Sequence, residues 1–506
     1  ISDDRWKNLI SKETYTSQNI VKTNRILIAT STGSNWACSS FDALLGIALK
    51  LKGADVSFLL CDGLLSACQE CSFQNISPLE LASKGPQKKL CVDCFPPASN
   101  MLKTLGLPIF TYSNILKKYG YNRHSINDDV ALEDHASAGI MRYFAVGDFQ
   151  NQPHQEKILE RYQKATSQSN LVATNIVENL DFDIVITHHG IYTPQGKILE
   201  TFKKHGKNIV TWFPSYRKQT VLFCHDDTYH HNLPAERNIQ IYNWNNSKRN
   251  KIIEYLNSRQ GGKNDWISFN NGYTKQIKIK KIKSESKIYG LFTNVLWDAQ
   301  LHFKSSAFTG LLPWLWFTID YFINNPNDQL IIRIHPAELK GTIRTRQPLS
   351  NEIKKRYPNL PTNIMIIEPN SKISSYEIAN QIDFGLVYGT KMALELSCKG
   401  IPVIVAGDAW SKNKGFTYDP STPEEYLYFL SHLKPERLSN DQIDAALQYA
   451  YYLFFERMIK VSCLEPRKRM MPYTIKKNIK IDDVLNDRGL NTICSAILFK
   501  KPFLNN

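Results

Sequence analysis

Two stretches of this sequence decide its fold: Leu330-Ile331-Ile332-Arg333-Ile334-His335-Pro336 and Asp383-Phe384-Gly385-Leu386-Val387-Tyr388-Gly389-Thr390. Each is a short apolar run that predicts a buried strand with polar residues at its carboxyl end. Helical spacing over residues 391–399 and a further apolar run over 400–407 follow the second stretch. The pattern of strand, helix and strand predicts a parallel sheet of the α/β class.

Ligands bind such sheets in the crevice beyond the carboxyl ends of the strands. Arg333, His335 and the Gly389-Thr390 turn lie at those ends. A guanidinium, an imidazole and the first amides of a helix all suit a phosphate group. The two stretches therefore predict a site for the phosphates and sugar of a nucleotide.

The composition is that of a folded globular protein. The chain has 506 residues, 42% hydrophobic and 22% charged, so it has room for two or three domains and is not disordered. No uncharged apolar run reaches about 18 residues; residues 308–323 come nearest, but Pro313 and Asp320 interrupt them. Residues 1–7 lack the apolar core of a signal peptide, and ten cysteines in a chain this long fit free thiols. We expect a cytoplasmic protein.

The net charge is strongly positive. Lys and Arg number 62 against 47 Asp and Glu, which gives a formal charge of +15. Much of the excess lies in residues 275–287 and 467–480. This balance favours an anionic partner: a nucleic acid, an anionic membrane face, or a negatively charged donor or acceptor. A solvated basic surface explains it equally well.

The amino-terminal part predicts a βαβ unit. Residues 25–32 read as a buried strand, the turn Gly33-Ser34-Asn35-Trp36 follows, and residues 43–52 and 56–60 read as a helix and a second strand. Gly33 and Ser34 would lie at the carboxyl edge of the sheet, where an acceptor could approach the backbone. A plain tight turn is the alternative, because the turn is not a GxGxxG. Helical and loop sequence is expected from there to about residue 180.

A cysteine-rich segment, residues 61–94, interrupts this first domain. After Cys61 it contains two CxxC pairs, Cys68-Gln69-Glu70-Cys71 and Cys91-Val92-Asp93-Cys94. The spacing matches zinc ribbons and predicts a structural zinc held by Cys68, Cys71, Cys91 and Cys94. Unmetallated thiols, a redox pair and an iron-sulfur site are the alternatives. Few cations lie between the two pairs, so the segment offers little positively charged surface to bind nucleic acid.

Two histidines end a later strand. Residues 183–187 predict the strand, and His188-His189-Gly190-Ile191-Tyr192 follows it. An imidazole with an ordinary pKa near 6.5 suits a general base, so His189 or His188 is a candidate catalytic residue, and a local hydrogen bond is the alternative. Tyr192 is a candidate acceptor contact. After a strand at 208–212, residues 216–231 read as a polar loop near the acceptor, with histidines that match no compact zinc motif.

Composition shifts divide the chain into four segments: a first α/β domain 1–265, a linker 266–286, a second α/β domain 287–440, and a carboxyl-terminal helix and tail 441–506. The second domain starts with a strand at 288–293, and Asn294 and Asp298 follow it as candidate donor contacts. Residues 364–367 read as a further strand between the two central ones. We expect the aromatic helix over about 441–460 to pack back on the core; a helix lying on a membrane is the alternative.

Several of these motifs together resemble one known family. They are Asn294-Val295-Leu296-Trp297-Asp298-Ala299, Arg333-Ile334-His335-Pro336, Tyr388-Gly389-Thr390 with Glu395, Gly400-Ile401-Pro402-Val403-Ile404 and His188-His189-Gly190-Ile191-Tyr192. Over most of its length the chain resembles the bacterial capsule polysaccharide biosynthesis glycosyltransferases, which are related to Kdo and sialic acid transferases.

The resemblance implies the GT-B architecture, with two Rossmann-like domains facing across a cleft, the acceptor mostly on the first and the nucleotide donor mostly on the second. It implies catalysis without an obligatory metal. His335-Pro336 and Gly389-Thr390 match motifs that bind the phosphate of CMP-linked donors. Glu395 resembles the acidic residue that holds the ribose, and a solvent-facing helix glutamate is the alternative. Val387 stands where the retaining enzymes have a glutamate, so their mechanism does not carry over.

The leading hypothesis is a glycosyltransferase that moves a sugar from a nucleotide donor, CMP-linked, to a growing surface glycan or glycolipid. A CDP-alcohol polyol-phosphate transferase or a nucleotide-sugar epimerase is the second hypothesis. A non-catalytic zinc-ribbon protein that binds glycan or nucleic acid is the third. Under the leading hypothesis we expect no nucleic-acid partner, and peripheral contact with the inner face of the membrane is an alternative to a purely cytoplasmic location.

Overall fold

The computed structural model describes residues 6, 9, 24–86, 90–120, 130–237, 239, 241–266, 269, 275–299, 306–467 and 472–505. The chain divides into two compact units. The first takes its described residues from Ile1–Phe144, Asp148–Tyr229 and Phe455–Asn506, and the second from Ala145–Gly147 and His230–Phe454.

The strands are β1 (Arg25–Ser31), β2 (Asp55–Leu60), β3 (Ile109–Thr111), β4 (Ile184–His188), β5 (Asn208–Pro214), β6 (Thr220–His225), β7 (Ile288–Phe292), β8 (Gln329–Arg333), β9 (Ile364–Ile367), β10 (Phe384–Val387), β11 (Val403–Val405), β12 (Ile459–Lys460), β13 (Leu464–Pro466) and β14 (Tyr473–Ile475).

The α-helices are α1 (Trp36–Leu51), α2 (Pro78–Lys84), α3 (Phe95–Thr104), α4 (Tyr112–Tyr119), α5 (Val130–Phe144), α6 (Gln155–Asn179), α7 (Gln195–Lys204), α8 (Tyr229–Ala235), α9 (Asn246–Gln260), α10 (Leu311–Asn324), α11 (Ala337–Lys340), α12 (Leu349–Arg356), α13 (Ser375–Ala379), α14 (Met392–Ser397), α15 (Pro423–His432), α16 (Asn440–Tyr451), α17 (Ile481–Leu485) and α18 (Arg488–Phe499); Cys91–Asp93 is a 3-10 helix and Tyr452–Arg457 a π-helix.

The first unit is built on a seven-stranded sheet in the order β12-β6-β5-β4-β1-β2-β3. The five neighbouring strands β3, β2, β1, β4 and β5 are parallel. Beyond β5 the sheet continues with β6, which is antiparallel to β5, and with β12, which is antiparallel to β6. From β1 the chain moves outward to β2 and β3 and then returns to β4 on the other side of β1. This is the Rossmann order 3-2-1-4-5, and it creates a topological switch point between β1 and β4.

The second unit repeats this order in a five-stranded sheet, β11-β10-β7-β8-β9, in which all neighbours are parallel. Its switch point lies between β7 and β10. Because side chains alternate along a strand, Tyr289 and Leu291 of β7 pack into the core on one face of the sheet, and Ile288 and Phe292 into the core on the other. Burial on both faces explains why these strands read as unbroken apolar runs.

The predicted α/β class with two Rossmann-like sheets is confirmed, while the cleft between the domains stays a prediction. The expected strands at β1, β2, β4, β5 and β7 to β11 are present. Five strands were missed: β3, β6 and the short strands β12, β13 and β14, which lie in the segment expected to be a helix and tail. Residues 220–225, read as part of a loop, form β6, whose apolar residues are buried between β5 and β12. β3 lies within the expected helical and loop region, and three residues are too few to show a period.

The structure divides the chain at different residues from those that the sequence predicted. Residues 230–265, assigned to the first domain, lie in the second unit. The reason is tertiary contact: Arg249 of α9 pairs with Asp444 of α16, and Tyr255 packs on Phe454 at a ring distance of 5.0 Å. From Phe455 onward the chain belongs to the first unit, where β12 pairs with β6. Of the expected linker, residues 267–268 and 270–274 lie outside the described residues.

The cysteine-rich segment contains no strand among its described residues, 61–86 and 90–94, so nothing there supports a zinc ribbon. It consists of turns, the short helix α2 and one 3-10 turn. In α16 and the π-helix after it, Tyr449, Tyr451 and Phe454 are buried, as packing on the core requires. No helix in the described ranges is both long and apolar enough to cross a membrane.

Candidate functional site

The switch point of the second unit gathers most of the predicted donor residues. Thr293 and Asn294 follow β7, Gly389 and Thr390 follow β10, and His335 follows β8, which is the other neighbour of β7. Parallel strands end at the same edge of a sheet, so these residues share one edge although they are far apart in sequence. The arrangement matches the usual place of a ligand in a doubly wound sheet.

His335 is held in one orientation by two hydrogen bonds. Its backbone N–H donates to Thr293 Oγ1 at 3.0 Å, and its Nδ1 accepts from the backbone N–H of Ala337 at 3.0 Å. Burial, with help from Lys391 and Arg333, lowers the pKa of His335 to about 4. The ring is therefore neutral near pH 7. Because Nδ1 is an acceptor, the proton lies on Nε2, which makes Nε2 a hydrogen-bond donor.

Lys391 is a site residue that the sequence reading did not select. It directly follows Gly389-Thr390 and precedes α14, and it lies close enough to His335 to lower that residue's pKa. Burial, followed by the charge of Arg259, lowers the pKa of Lys391 to about 7, although Asp265 and Glu395 oppose the shift. The available signal was a cation directly after the Gly389-Thr390 turn.

Arg333 and Thr390 make hydrogen bonds to the backbone of the protein itself. Arg333 is 1% exposed, and its guanidinium donates to the carbonyls of Ile367 and Glu368, so that it ties the end of β8 to the end of β9. Thr390 Oγ1 accepts from the N–H of Met392 at 3.3 Å at the start of α14. Pro336 directly precedes α11. These residues shape the edge of the sheet.

Glu395 is buried, at 5% exposure, so the solvent-facing alternative is wrong. Its Oε2 accepts from the hydroxyl of Tyr376 at 2.5 Å, and its Oε1 lies 3.3 Å from Arg259. Arg259 also pairs with Asp265 at 2.7 Å. Both carboxylate oxygens are thus engaged by the protein, and a ribose would have to replace one of these partners. Ribose binding by Glu395 stays a prediction.

Asn294 and Asp298 differ in their surroundings. Asn294 Oδ1 is buried and has no hydrogen-bond partner among the described residues, which leaves an acceptor that a ligand hydroxyl or amino group could satisfy. Asp298 is exposed. Of the two predicted contacts, Asn294 is the one that the structure leaves with an unmet hydrogen bond.

In the first unit, the two adjacent histidines have opposite environments. His188 ends β4, is 7% exposed and packs against Trp212 with ring centroids 5.0 Å apart. Burial lowers its pKa to about 3, so the ring is neutral and belongs to the core. His189 is only partly buried and lies among Tyr192 and Tyr229, at ring distances of 5.9 and 5.5 Å. Only His189 is placed to reach a ligand.

The backbone of His189 is in the left-handed region, with φ of +63°, and Gly190 follows at +75°. The N–H of His189 donates to the carbonyl of Trp212 at 2.9 Å, and its carbonyl accepts from Thr228 Oγ1 at 3.1 Å. A non-glycine residue with positive φ costs free energy and is common at functional sites. The turn rotates the His189 ring away from the strand direction that buries His188.

Gly33 and Ser34 lie after β1, on the other side of this switch point. The N–H of Gly33 donates to Cys94 Sγ at 3.1 Å, and a Cβ at Gly33 would lie 2.5 Å from the carbonyl oxygen of Cys94. Glycine is therefore required by the approach of Cys94. Ser34 Oγ is buried and has no hydrogen-bond partner within the described ranges.

The cysteines cluster without forming a recognisable metal site. Burial raises the pKa of Cys91 to about 12, and Cys68, Cys61 and Cys94 are all near enough to raise it further, which adds Cys61 to the set expected from the two pairs. Among the residues that the structure describes, no group of three or more His, Cys, Asp or Glu side chains is arranged to hold a metal ion. Structural zinc stays a prediction.

No protein-family model and no curated protein match this chain. Among solved structures, the KpsC β-Kdo 2,4 transferase of Thermosulfurimonas dismutans is 12% identical over 60% of this chain and 86% of that one, with a TM-score of 0.35. The KpsC β-Kdo 2,7 transferase of the same organism is 13% identical over 62% and 87%, with a TM-score of 0.31. A UDP-GlcNAc 2-epimerase from Neisseria meningitidis is 10% identical over 85% and 98%, with a TM-score of 0.24.

These similarities all lie below 25% identity and below a TM-score of 0.5, so they carry no argument about this chain. We base the functional proposal on the sheet topology and the site residues themselves.

The burial of His188 predicts how the free energy of unfolding depends on pH. Folding lowers its pKa to about 3, so the unfolded chain binds this proton more readily below about pH 6.5, and the free energy of unfolding falls from there toward pH 3. Between pH 8 and pH 5 the loss due to His188 is about 2 kcal/mol. Urea denaturation should show that His188→Gln is less pH-dependent than the wild type by this amount.

The matched control is His432→Gln, since His432 is exposed on α15. That variant should keep the wild-type pH dependence. Equal pH dependence in wild type and His188→Gln would mean that the His188 ring is protonated in the folded protein.

Proposed function

We propose that this protein is a glycosyltransferase that transfers a sugar from a nucleotide donor to a glycan or glycolipid acceptor. The observation that carries the proposal is that each of two Rossmann-like sheets has a switch point lined by groups suited to one half of the reaction. The second unit offers a neutral imidazole donor and a lysine for a phosphate, and the first offers a partly exposed histidine for an acceptor hydroxyl.

In the second unit, His335 Nε2–H and the Lys391 ammonium would bind the phosphate that leaves with the nucleotide. As the bond between the anomeric carbon and the phosphate oxygen breaks, negative charge develops on that oxygen. A preorganised donor at such a position is typically worth about 3 to 4 kcal/mol. Asn294 Oδ1 would accept from a hydroxyl of the donor. Since these are protein groups, the proposal needs no catalytic metal.

In the first unit, His189 would remove the proton from the acceptor hydroxyl as its oxygen attacks the anomeric carbon. His189 is partly exposed, and Nε2 is the nitrogen that would act, because Nδ1 is buried. The partly exposed ring of Tyr229 provides a surface on which a sugar ring could stack, whereas the predicted acceptor contact Tyr192 is buried. Gly33 and Ser34 lie across the switch point as further acceptor contacts. His188 is assigned to the core.

For the donor we propose a cytidine nucleotide, on the resemblance of His335-Pro336 and Gly389-Thr390 to phosphate-binding motifs of CMP-sugar transferases. A basic protein of charge +15 also suits an anionic donor or acceptor. The same proposal includes peripheral contact of the protein with the inner face of the membrane, since the acceptor would be a growing surface glycan.

The first test is a thermal-shift panel of CMP, CDP, UDP, GDP and ADP on the full chain, because a ligand that binds only the folded state raises its stability. CMP or CDP should raise the melting temperature, and His335→Ala should abolish the shift. A shift with UDP or GDP instead would keep the transferase and discard the cytidine donor. No shift with any nucleotide would count against the whole proposal.

The pKa of Lys391 adds a test of its role. The lysine is protonated below about pH 7 and loses its charge above that value, so affinity for CMP should fall by up to about tenfold per pH unit between pH 7 and 9. In Lys391→Met the affinity should be weaker and lack this component of the pH dependence. Titration calorimetry at several pH values measures both.

The control is Lys354→Met, since Lys354 lies on the exposed face of α12. That variant should bind CMP as the wild type does. An unchanged pH profile in Lys391→Met would remove Lys391 from the phosphate site.

The role of His189 is tested by separating binding from transfer. General-base catalysis contributes about 10² to 10⁴ in rate, so His189→Ala should lower turnover of the donor by at least about a hundredfold. It should leave the nucleotide thermal shift intact. The readout is nucleotide release from the donor found by the panel, with and without added glycan. Turnover that needs no acceptor would favour the epimerase.

A further inference from the structure

A buried acid lies behind the histidine segment of the first unit. Asp42 of α1 is 3% exposed, and its Oδ1 accepts from Trp212 Nε1 of β5 at 2.8 Å. The hydroxyl of Thr30, on β1, is a second hydrogen-bond partner of the same carboxylate. One side chain on a helix thus joins the carboxyl ends of two strands that are not neighbours in the sheet, with β4 between them.

Both partners of Asp42 hold the segment at the end of β4. Thr30 Oγ1 accepts from the backbone N–H of His188 at 3.1 Å, and the Trp212 carbonyl accepts from the backbone N–H of His189 at 2.9 Å. The Trp212 ring also packs on the ring of His188. The backbone N–H of His188 can only donate, so Thr30 Oγ1 accepts from it, and the ionised carboxylate of Asp42 can only accept, so it takes the Thr30 hydroxyl proton.

We propose that Asp42 is a positioning residue that fixes the His188-His189 segment through Thr30 and Trp212. The ionised carboxylate makes charge-assisted hydrogen bonds to both partners, and these are stronger than neutral ones. When Asp42 takes up a proton, that assistance is lost and one of its oxygens becomes a donor. The indole N–H cannot accept this hydrogen bond, and Thr30 Oγ1 can accept it only if its own proton turns away from Asp42. The catalytic meaning of this positioning rests on the proposed role of His189, but the coupling itself does not.

The groups around Asp42 make its charge sensitive to pH. Burial raises its pKa to about 7, while the hydrogen bonds from Thr30 and Trp212 act in the opposite direction. The titratable groups that face it are the Cys38 thiol on α1 and the Tyr473 hydroxyl on β14, whose pKa values are raised by burial first and by Asp42 in addition. Both are neutral near pH 7. The segment is therefore held most firmly above about pH 7 and loosens as the pH falls below it.

The coupling is measured by NMR on the full chain. With 5-fluorotryptophan incorporated at the nine tryptophans, the resonance lost in Trp212→Phe identifies Trp212. Its ¹⁹F shift should titrate with a midpoint near pH 7 in the wild type and should not titrate in Asp42→Asn, which keeps the size of the side chain and an oxygen to accept from the indole.

The histidine segment is followed in the same samples by ¹³Cε1 labelling, with His189 identified by its loss in His189→Gln. We expect the His189 resonance to show an inflection at the midpoint of Trp212, and this inflection should be absent in Asp42→Asn. Thr30→Val removes one of the two connections and should reduce the inflection while Trp212 still titrates. This second variant tests the proposal even if Asp42→Asn does not fold.

Two results would overturn the proposal. If the Trp212 resonance does not move between pH 5 and 9, Asp42 does not titrate there. If Trp212 titrates and His189 shows no inflection at the same pH, Asp42 stabilises the core without positioning the histidine. Neither result depends on finding a substrate. The nucleotide panel tests the glycosyltransferase proposal separately, so failure of that proposal can be distinguished from failure of the coupling.

Discussion

The structure depends on a change in winding direction within each parallel sheet. After its third strand the chain returns to the other side of the first, so the connections on the two sides cover opposite faces of the sheet. The loops that leave the first and fourth strands therefore diverge, and a crevice opens at their carboxyl ends. In this protein the crevices lie after β1 and β4 in the first unit, and after β7 and β10 in the second.

Each crevice is supported from behind by a buried acid. In the first unit, Asp42 joins the ends of β1 and β5 across β4. In the second, Glu395 and Asp265 hold Arg259, and all three lie close enough to Lys391 to shift its pKa. Burying a charge is costly unless it is paired or hydrogen-bonded, and these carboxylates are. The arrangement places charge near the site without exposing it to solvent.

The two supports act on different groups. Asp42 acts on the geometry of a histidine, because its partners bind the backbone at the end of β4. The carboxylates of Glu395 and Asp265 act on the charge of Lys391, whose proton they stabilise against burial and the repulsion of Arg259. Position and charge are the two properties that a general base and a phosphate site respectively require.

The sequence by itself determined the α/β class, nine of the strands, and the polar residues at the ends of β7, β8 and β10, because an apolar run followed by polar residues is a local pattern. It did not separate His188 from His189, which have the same neighbours in sequence. The left-handed turn and the packing of Trp212 decided that one ring enters the core and the other does not. Nor could it relate Asp42 to Trp212 or Lys391 to Arg259. Those relations, like the shift of 230–265 into the second unit, depend on which surfaces meet after folding, and no local spacing encodes that.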